Sequence, residues 1–299
     1  MEAKIDLTFT RYTAQDAQRV DGAVIGETRW TLYVNRREWV SFMATPSQLH
    51  YLALGFLVSE GVIAGLDDVE WLRVNEDVNR LYWYLPAVGL DATMPIRVCE
   101  EAVGVIDARL RVATPEPPGT RVLTSGCGGG VTFDDLRGEH RPLSTDFTVA
   151  PQQIMAMMQE LNESASLYRA CRGVHTSALS DGQRLLVVAE DVGRHNTLDK
   201  IRGECLLRGL ATRDRILLTT GRISSEMITK AVKMEVPVVV SRTSPTALSV
   251  ALAGEWNMTL IGYARSRQMN VYTGEERLRP ARDRAAPRGN GRVVGEEEG

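Results

Sequence analysis

Hydrophobic and polar positions along the chain change rhythm several times. "TRWTLYVNRREWVSFMA", from Thr28, is rich in β-branched and aromatic residues, and this predicts two strands around a turn at Asn35 to Arg37. "TPSQLHYLALGFLVSEG" then shifts to helical spacing, with Leu49, Leu52, Phe56 and Leu57 on one apolar face. Thr45 reads as its N-cap, Pro46 as the first helical residue, Gln48 as the partner in a capping box and Gly61 as the stop. "VEWLRVNEDVNRLYWYL" predicts a hairpin over Asn75 to Asp77, and strand-like runs follow around Ile96 to Val98 and Val105 to Val112. Strands with a helix against one side point to a small α+β roll.

The Pro-rich "TPEPPGT", Thr114 to Thr120, has linker composition. Beyond it, "APQQIMAMMQELNESASLYRA" places Ile154, Met157, Met158 and Leu161 at helical spacing, with Pro151 near the start and the methionines as core filler. From Arg184 short apolar runs alternate with helical ones: "RLLVVAE", "NTLDKIRGECLLRGL", "RILLTTG", "SSEMITKAVKME", "VPVVVS", "SPTALSVALAGE" and "MTLIGYA". Such alternation predicts a buried, largely parallel sheet covered on both faces, a three-layer α/β/α unit. The expected organisation is an α+β domain over 1–115, an α/β/α domain over 116–274 and a flexible tail over 275–299.

Length agrees with two domains, since single cores stop growing near 299 residues. A content of 24% charged and 43% hydrophobic residues is that of a globular protein. There is no apolar run of membrane-spanning length and no signal-peptide pattern, so the expectation is a cytoplasmic protein away from membranes. Cys99, Cys127, Cys171 and Cys205 are spaced neither as a disulfide framework nor as a zinc site, which suits a reducing compartment. Net charge is -3 and aromatics make up 6%, and no nucleic-acid motif accompanies the arginines near the C-terminus, so nucleic acid is not expected as a partner.

The candidate chemistry begins in "LTSGCGGGVTF", where Cys127 lies among Gly126, Gly128, Gly129 and Gly130. Glycines let backbone approach a ligand or change conformation, so a reactive thiol and an incidental loop cysteine both remain open. Cys205 shares a helix face with Leu198 and Ile201 and reads as core, as does Cys99 in its strand-like run. "EDVGRHNTLDKIRG" puts Asp191, Gly193, Arg194, His195 and Asn196 after a strand, with Asn196 as N-cap and Asp199 at the third helical position. "TTGRISSEM" offers Gly221, Arg222, Ile223 and Ser224, and "SRTSPTA" offers Ser241, Arg242, Thr243 and Ser244, the last as N-cap before Pro245. "YARSRQ" adds Tyr263, Ala264, Arg265, Ser266, Arg267 and Gln268 after another strand. Helix starts at strand ends bind anions through free amides, and arginine grips phosphate with paired hydrogen bonds, so these ends suit a large anionic ligand. His175 and His195 are the candidate proton carriers. The zinc-deaminase, HExxH, Walker and GxSxG patterns are missing, and no metal site is expected.

Taken together, "SEG" at Ser59 to Gly61, "SGCGGG", "GVHTSAL", "EDVGRHNTLDKIRG", "TTGRISSEM", "SRTSPTALSV" and "IGYARSRQMNVYT" resemble the FdhD family, the formate dehydrogenase accessory sulfurtransferases, from about Trp30 to Thr273. The resemblance implies a homodimer with a cytidine-deaminase-like α/β/α domain lacking the zinc chemistry. It also implies that sulfur arrives from a cysteine desulfurase as a Cys127 persulfide and passes to the molybdenum bis-guanine-dinucleotide cofactor, bound as substrate, for insertion into formate dehydrogenase. The implied cofactor rim is Gly193 to Asn196, Gly221 to Ser224, Ser241 to Ser244 and the "YARSRQ" segment. The family's cysteine loop usually reads CGxCG, and its second cysteine falls on Gly130 here. That departure questions any relay between two loop thiols, leaves Cys171 as a candidate substitute, and keeps alive a cofactor chaperone without covalent sulfur. A thiol hydrolase or transferase pairing Cys127 with His175 or His195 is a third reading.

Overall fold

The computed structural model describes residues 2–77, 80–83, 104–113, 122–123, 131–132 and 140–279. The chain opens with an antiparallel ribbon, β1 (Lys4–Tyr12) and β2 (Ala17–Ile25), paired from Lys4↔Ile25 to Tyr12↔Ala17. The ribbon has no counterpart in the sequence reading, because none of its side chains is buried and it carries little burial pattern. β3 (Thr28–Val34) and β4 (Arg37–Ala44) form the expected hairpin. Asn35 and Arg36 both adopt positive φ at its turn, which matches the right-handed twist of the flanking strands.

Helix α1 (Leu49–Ser59) follows, then β5 (Val69–Asp77), β6 (Arg80–Trp83) and β7 (Val105–Leu110). These strands build a sheet in the order β4-β3-β7-β5-β6, in which only β3 and β7 are parallel. The β5–β6 turn falls after Asp77, later than expected, and the run at Ile96 to Val98 lies outside the described residues, as does the linker at Thr114 to Thr120. The helix N-terminus also differs from expectation. Gln48, in a left-handed conformation, occupies the cap position and makes no side-chain cap bond. Thr45 is drawn instead into contacts with the second half of the chain, which override the local capping pattern.

Short strands β8 (Val122–Leu123) and β9 (Val131–Thr132) pair through Leu123↔Val131. Cys127 and its glycines fall between them, outside the described residues. Helices α2 (Pro151–Ser164) and α3 (Ser166–Cys171) lead to β10 (His175–Ser180), β11 (Leu185–Asp191), α4 (Arg194–Arg208) and β12 (Ile216–Thr219). Then come α5 (Ser225–Lys233), β13 (Val238–Ser241), α6 (Ala247–Glu255), β14 (Thr259–Gly262) and β15 (Asn270–Thr273).

The six strands order as β11-β10-β12-β13-β14-β15. Four strands, β11, β12, β13 and β14, run in one direction, but β10 is inserted against them between β11 and β12, so the sheet is mixed and only the β12–β13 and β13–β14 pairings are parallel. β10 and β15 join as antiparallel partners of adjacent hairpin strands. Alternation along the strands splits the core by face. Leu179, Leu217, Val239 and Leu260 pack with Ile201, Met227, Ile228 and Ala253 of α4, α5 and α6. Ala178, Leu218, Val240 and Ile261 pack with Ile154, Met158 and Leu161 of α2 on the other face. Each fully buried aliphatic side chain contributes about 1.5–3 kcal/mol. The segment expected to be tail begins in the fold: Arg277 is buried and donates to the Asn257 carbonyl at 2.8 Å, while Leu278 bridges to Val149.

α1 is apolar around its circumference because it is covered twice, by the first sheet and by α4. Phe56 meets Phe42 edge to face at 5.0 Å. On the opposite side Gly55 and Gly203 face each other: a Cβ on Gly203 would lie 2.0 Å from the Tyr51 carbonyl oxygen and 2.9 Å from the Gly55 amide nitrogen. Backbone cannot yield cheaply at that distance. Gly203→Ala is therefore expected to cost at least about 1–3 kcal/mol in urea denaturation. Gly65→Ala, where no atom approaches, is expected to stay within about 0.5 kcal/mol of the parent.

Candidate functional site

Because β11 and β12 both run antiparallel to β10, the C-terminal ends of β11, β12, β13 and β14 share one edge of the sheet. β10 and β15 begin at that edge. All four segments picked out from sequence, 193–196, 221–224, 241–244 and 263–268, therefore come together there. The insertion of β10 against the direction of its neighbours makes a switch in topology, the kind of place where open α/β sheets form ligand crevices.

A buried polar knot fixes the first segment. The Asp191 carboxylate is fully buried, and its Oδ1 accepts from the Gly193 amide and Asn196 Nδ2, each at 2.8 Å. Its Oδ2 accepts from Lys200 Nζ at 2.6 Å and from the Thr45 amide at 3.2 Å. Lys200, also without solvent exposure, completes its three donors on the carbonyls of Glu190 and Thr45. Thr45 Oγ1 accepts from the Val192 amide at 3.2 Å, and Asn196 Nδ2 also reaches the Met43 carbonyl at 2.9 Å. The end of β4 thus grips the end of β11. Asn196 and Asp199 consequently do not cap α4 as expected; Gly193 holds the cap position and the helix starts at Arg194.

Asp199 serves a different purpose. It pairs with Lys230 of α5 and accepts from Ser59 Oγ at 3.1 Å, while Lys233 Nζ donates to the Ser59 carbonyl at 2.7 Å. Glu190, beside Asp191, accepts from the amides of Leu167 and Tyr168 and so closes the start of α3. Much of the "EDVGRHNTLDK" string is thus a scaffold for the crevice edge. Thr45→Val removes the acceptor for the Val192 amide without changing shape. The expected cost is about 1–3 kcal/mol by urea denaturation, with Thr45→Ser close to the parent.

Arg194 and His195 form the first turn of α4 and are nearly buried. A Cβ on Gly221 would lie 3.0 Å from the Arg194 Cβ and 3.3 Å from His175 Nδ1, so the absence of a side chain at Gly221 lets these residues close together. Burial pushes His175 below its ordinary value, helped by the positive charge of Arg194. His195 Nε2 stands 2.8 Å from Glu226 Oε2 and 3.2 Å from Ser224 Oγ. Burial lowers His195 as well and outweighs the pull of Glu226 toward the charged form.

The remaining segments divide between loop supports and rim. Ser241 Oγ donates to the Gly221 carbonyl at 2.6 Å, and the Ser241 carbonyl accepts from the Ala264 amide at 2.9 Å. Ile223 is wholly buried, with its amide on the Ser244 carbonyl, and the Thr243 carbonyl accepts from the Tyr263 amide at 2.9 Å. These side chains and backbones tie adjacent strand ends to one another, so Ile223 and Ala264, expected on the rim, are core. Ser244 is not the N-cap of α6; Thr246 is, accepting from the Ser249 amide, because Pro245 is held in a bridge with Ile223. Arg222, Arg242, Tyr263, Arg265, Ser266, Arg267 and Gln268 are exposed, and Arg242 Nη1 donates to Asn162 Oδ1 at 2.9 Å. Thr45, Lys200 and Glu226 are the contributors that sequence assigned elsewhere or not at all.

Among the described cysteines, Cys205 is core, as expected, and burial pushes its thiol up to about 12. Cys171, at the end of α3, donates from Sγ to the Leu167 carbonyl and is also raised by burial. Among the described residues no group of three or more His, Cys, Asp or Glu could hold a metal ion, and no helix is long and apolar enough to cross a membrane.

Comparison with protein families matches residues 25–279 to the FdhD/NarQ family. The chain belongs to that family. Among its relatives, the sulfur carrier protein FdhD of Bacillus subtilis is 33% identical over 272 residues, covering 90% of this chain and 95% of the relative. FdhD of Staphylococcus aureus is 32% identical over 250 residues, covering 83% and 86%. A solved structure, described as that of a formate dehydrogenase accessory protein from Desulfotalea psychrophila, superimposes with a TM-score of 0.68 at 28% identity, covering 92% of this chain and 99% of that one. The β1–β2 ribbon precedes nearly all of the family match, whereas every segment of the crevice edge lies inside it.

Proposed function

We propose that this protein is a cytoplasmic sulfurtransferase of the FdhD type. Cys127 receives sulfur from a cysteine desulfurase, the crevice at the strand ends holds the molybdenum bis-guanine-dinucleotide cofactor, and the sulfurated cofactor goes on to formate dehydrogenase. The observation that carries this reading is the family match over 25–279, with relatives named as sulfur carriers. The convergence of four arginine-bearing strand ends on one edge supports the cofactor's place. On this reading Arg194, Arg222, Arg242, Arg265 and Arg267 grip phosphates. We further read the chain as a homodimer, with an α+β domain over 1–115 and a cytidine-deaminase-like α/β/α domain beyond it.

Loading is an exchange between sulfurs. The Cys127 thiolate attacks the outer sulfur of the donor persulfide, the donor S–S bond breaks, and the donor cysteine leaves as thiolate. Delivery breaks the new S–S bond and returns its electron pair to Cys127. Turning the released sulfur atom into sulfide needs two electrons, which a molybdenum(IV) centre supplies on oxidation to molybdenum(VI). No second thiol enters this balance, which suits a chain carrying Gly130 in the loop.

The test follows labelled sulfur from cysteine, through a desulfurase and this protein, to isolated cofactor. Label is expected first on the protein and then on the cofactor, and the second step is expected to fail without the first. Gly130 also favours one rival, a chaperone that shields the cofactor without carrying sulfur. That rival predicts cofactor binding with no label on the protein at any time.

A further inference from the structure

His195 lies where the crevice edge meets the buried interior between α4 and α5. Its Nε2 is 2.8 Å from Glu226 Oε2 and 3.2 Å from Ser224 Oγ. A carboxylate can only accept, so the single hydrogen of the neutral ring belongs on Nε2 and the lone pair on Nδ1. Ser224 precedes α5 but makes no side-chain bond to its amides, its hydroxyl being turned toward the imidazole. Glu226 is nearly buried, and Lys230, one turn along α5, is paired with Asp199. The arrangement is a carboxylate-backed imidazole next to Arg194, which faces the crevice edge at Gly221.

The groups acting on His195 come from two helices: Glu226 and Lys230 from α5 and Arg194 from α4. His175 of β10 in turn feels Arg194, His195, Asp191 and Arg222. Burial and the nearby cations Arg194 and Lys230 push His195 below its ordinary value, while Glu226 pulls toward the imidazolium. A negative ligand beside Arg194 offsets those cations.

We propose that binding of a phosphate-bearing nucleotide in the crevice is coupled to uptake of one proton by His195, the imidazolium being held by Glu226. The proposal rests on the reading of this crevice as the guanine-dinucleotide site. In the coupled step a proton from solvent adds to Nδ1 while Nε2–H stays on Glu226, and release of the ligand returns that proton. Coupling is reciprocal, so protons favour the ligand by the factor by which the ligand favours protons. The sign follows. Affinity rises as pH falls through the pKa of the occupied form and levels off below that of the empty form, which lies under the ordinary histidine value.

Guanosine diphosphate serves as probe, titrated by calorimetry at neutral pH in two buffers of different ionisation enthalpy. The wild type is expected to take up more protons on binding than His195→Gln, and its affinity to gain about threefold to tenfold more between about pH 8 and about pH 6. Ionisation of the probe's own phosphate is common to both proteins and cancels in the difference. Glu226→Gln is expected to reduce the uptake while retaining the histidine, and gives a second reading if His195→Gln misfolds. Equal uptake in wild type and both variants, or uptake lost only in His175→Gln, overturns the proposal and leaves the proposed function standing. No binding of the probe by the wild type removes both.

Discussion

Replacing Cys127 with alanine is expected to abolish sulfur transfer and formate dehydrogenase maturation, while binding of guanosine diphosphate stays at the wild-type level. Sulfur exchange needs a thiolate that a donor can reach. Two of the chain's four cysteines are poor candidates by position. Cys205 is sealed between α4 and the sheet with its thiol raised to about 12, and Cys171 is also raised by burial and already donates to a carbonyl. Cys171→Ala and Cys205→Ala are accordingly expected to retain transfer, and Cys127→Ser to lose it, since a hydroxyl carries no persulfide. Maturation surviving in Cys127→Ala would move the account to the chaperone reading; maturation lost in Cys171→Ala alone would make Cys171 the carrier.

Asp191→Ala is expected to be the most damaging substitution to stability, by about 3–5 kcal/mol, because it strands the Lys200 ammonium in the interior without its counter-charge. The same change leaves the Thr45 and Gly193 amides and the Asn196 amide group short of an acceptor. Urea denaturation of Asp191→Ala, Lys200→Met and the double variant separates these contributions. Much of the loss should be recovered in the double variant, which leaves neither charge of the pair stranded. A double variant as unstable as the sum of the two single ones would show that the amides, rather than the stranded charge, dominate.

Elements with a strong apolar rhythm were legible in the sequence. Helix α1, the β3–β4 hairpin and the run from β11 to β14 all appear close to where periodicity puts them. β10 was not, because "HTSALS" mixes hydroxyls with apolar residues: Thr176 and Ser177 are buried only because Glu190, Thr197 and Thr219 satisfy them. Without β10, the alternation from β11 onward reads as an unbroken parallel series. Helix starts were misplaced for a common reason. Thr45, Asn196 and Ser244 have the chemistry of local caps, but each is engaged by a segment far away in sequence.

The candidate site was legible as strand-end segments and much less so as roles. Arginines at those ends were visible, and Arg222, Arg242, Arg265 and Arg267 are indeed exposed. The division of labour was not, since nothing local distinguishes a side chain that faces ligand from one, such as Asn196, that binds the Met43 carbonyl 153 residues away. The glycines Gly55 and Gly203 inside two helices were the available sign of a close crossing between the two halves. Cys127, the residue on which the proposed function turns, lies outside the described residues, and its proposed role rests on the resemblance of its loop to the family's and on thiol chemistry.

The most direct measurement is the intact mass of the purified protein after incubation with a cysteine desulfurase and cysteine, followed by peptide mapping under non-reducing conditions. The account predicts a gain of one sulfur atom, located on the peptide containing Cys127 and lost on reduction. A mass that stays unchanged, or an added sulfur located on Cys99, Cys171 or Cys205, would contradict it.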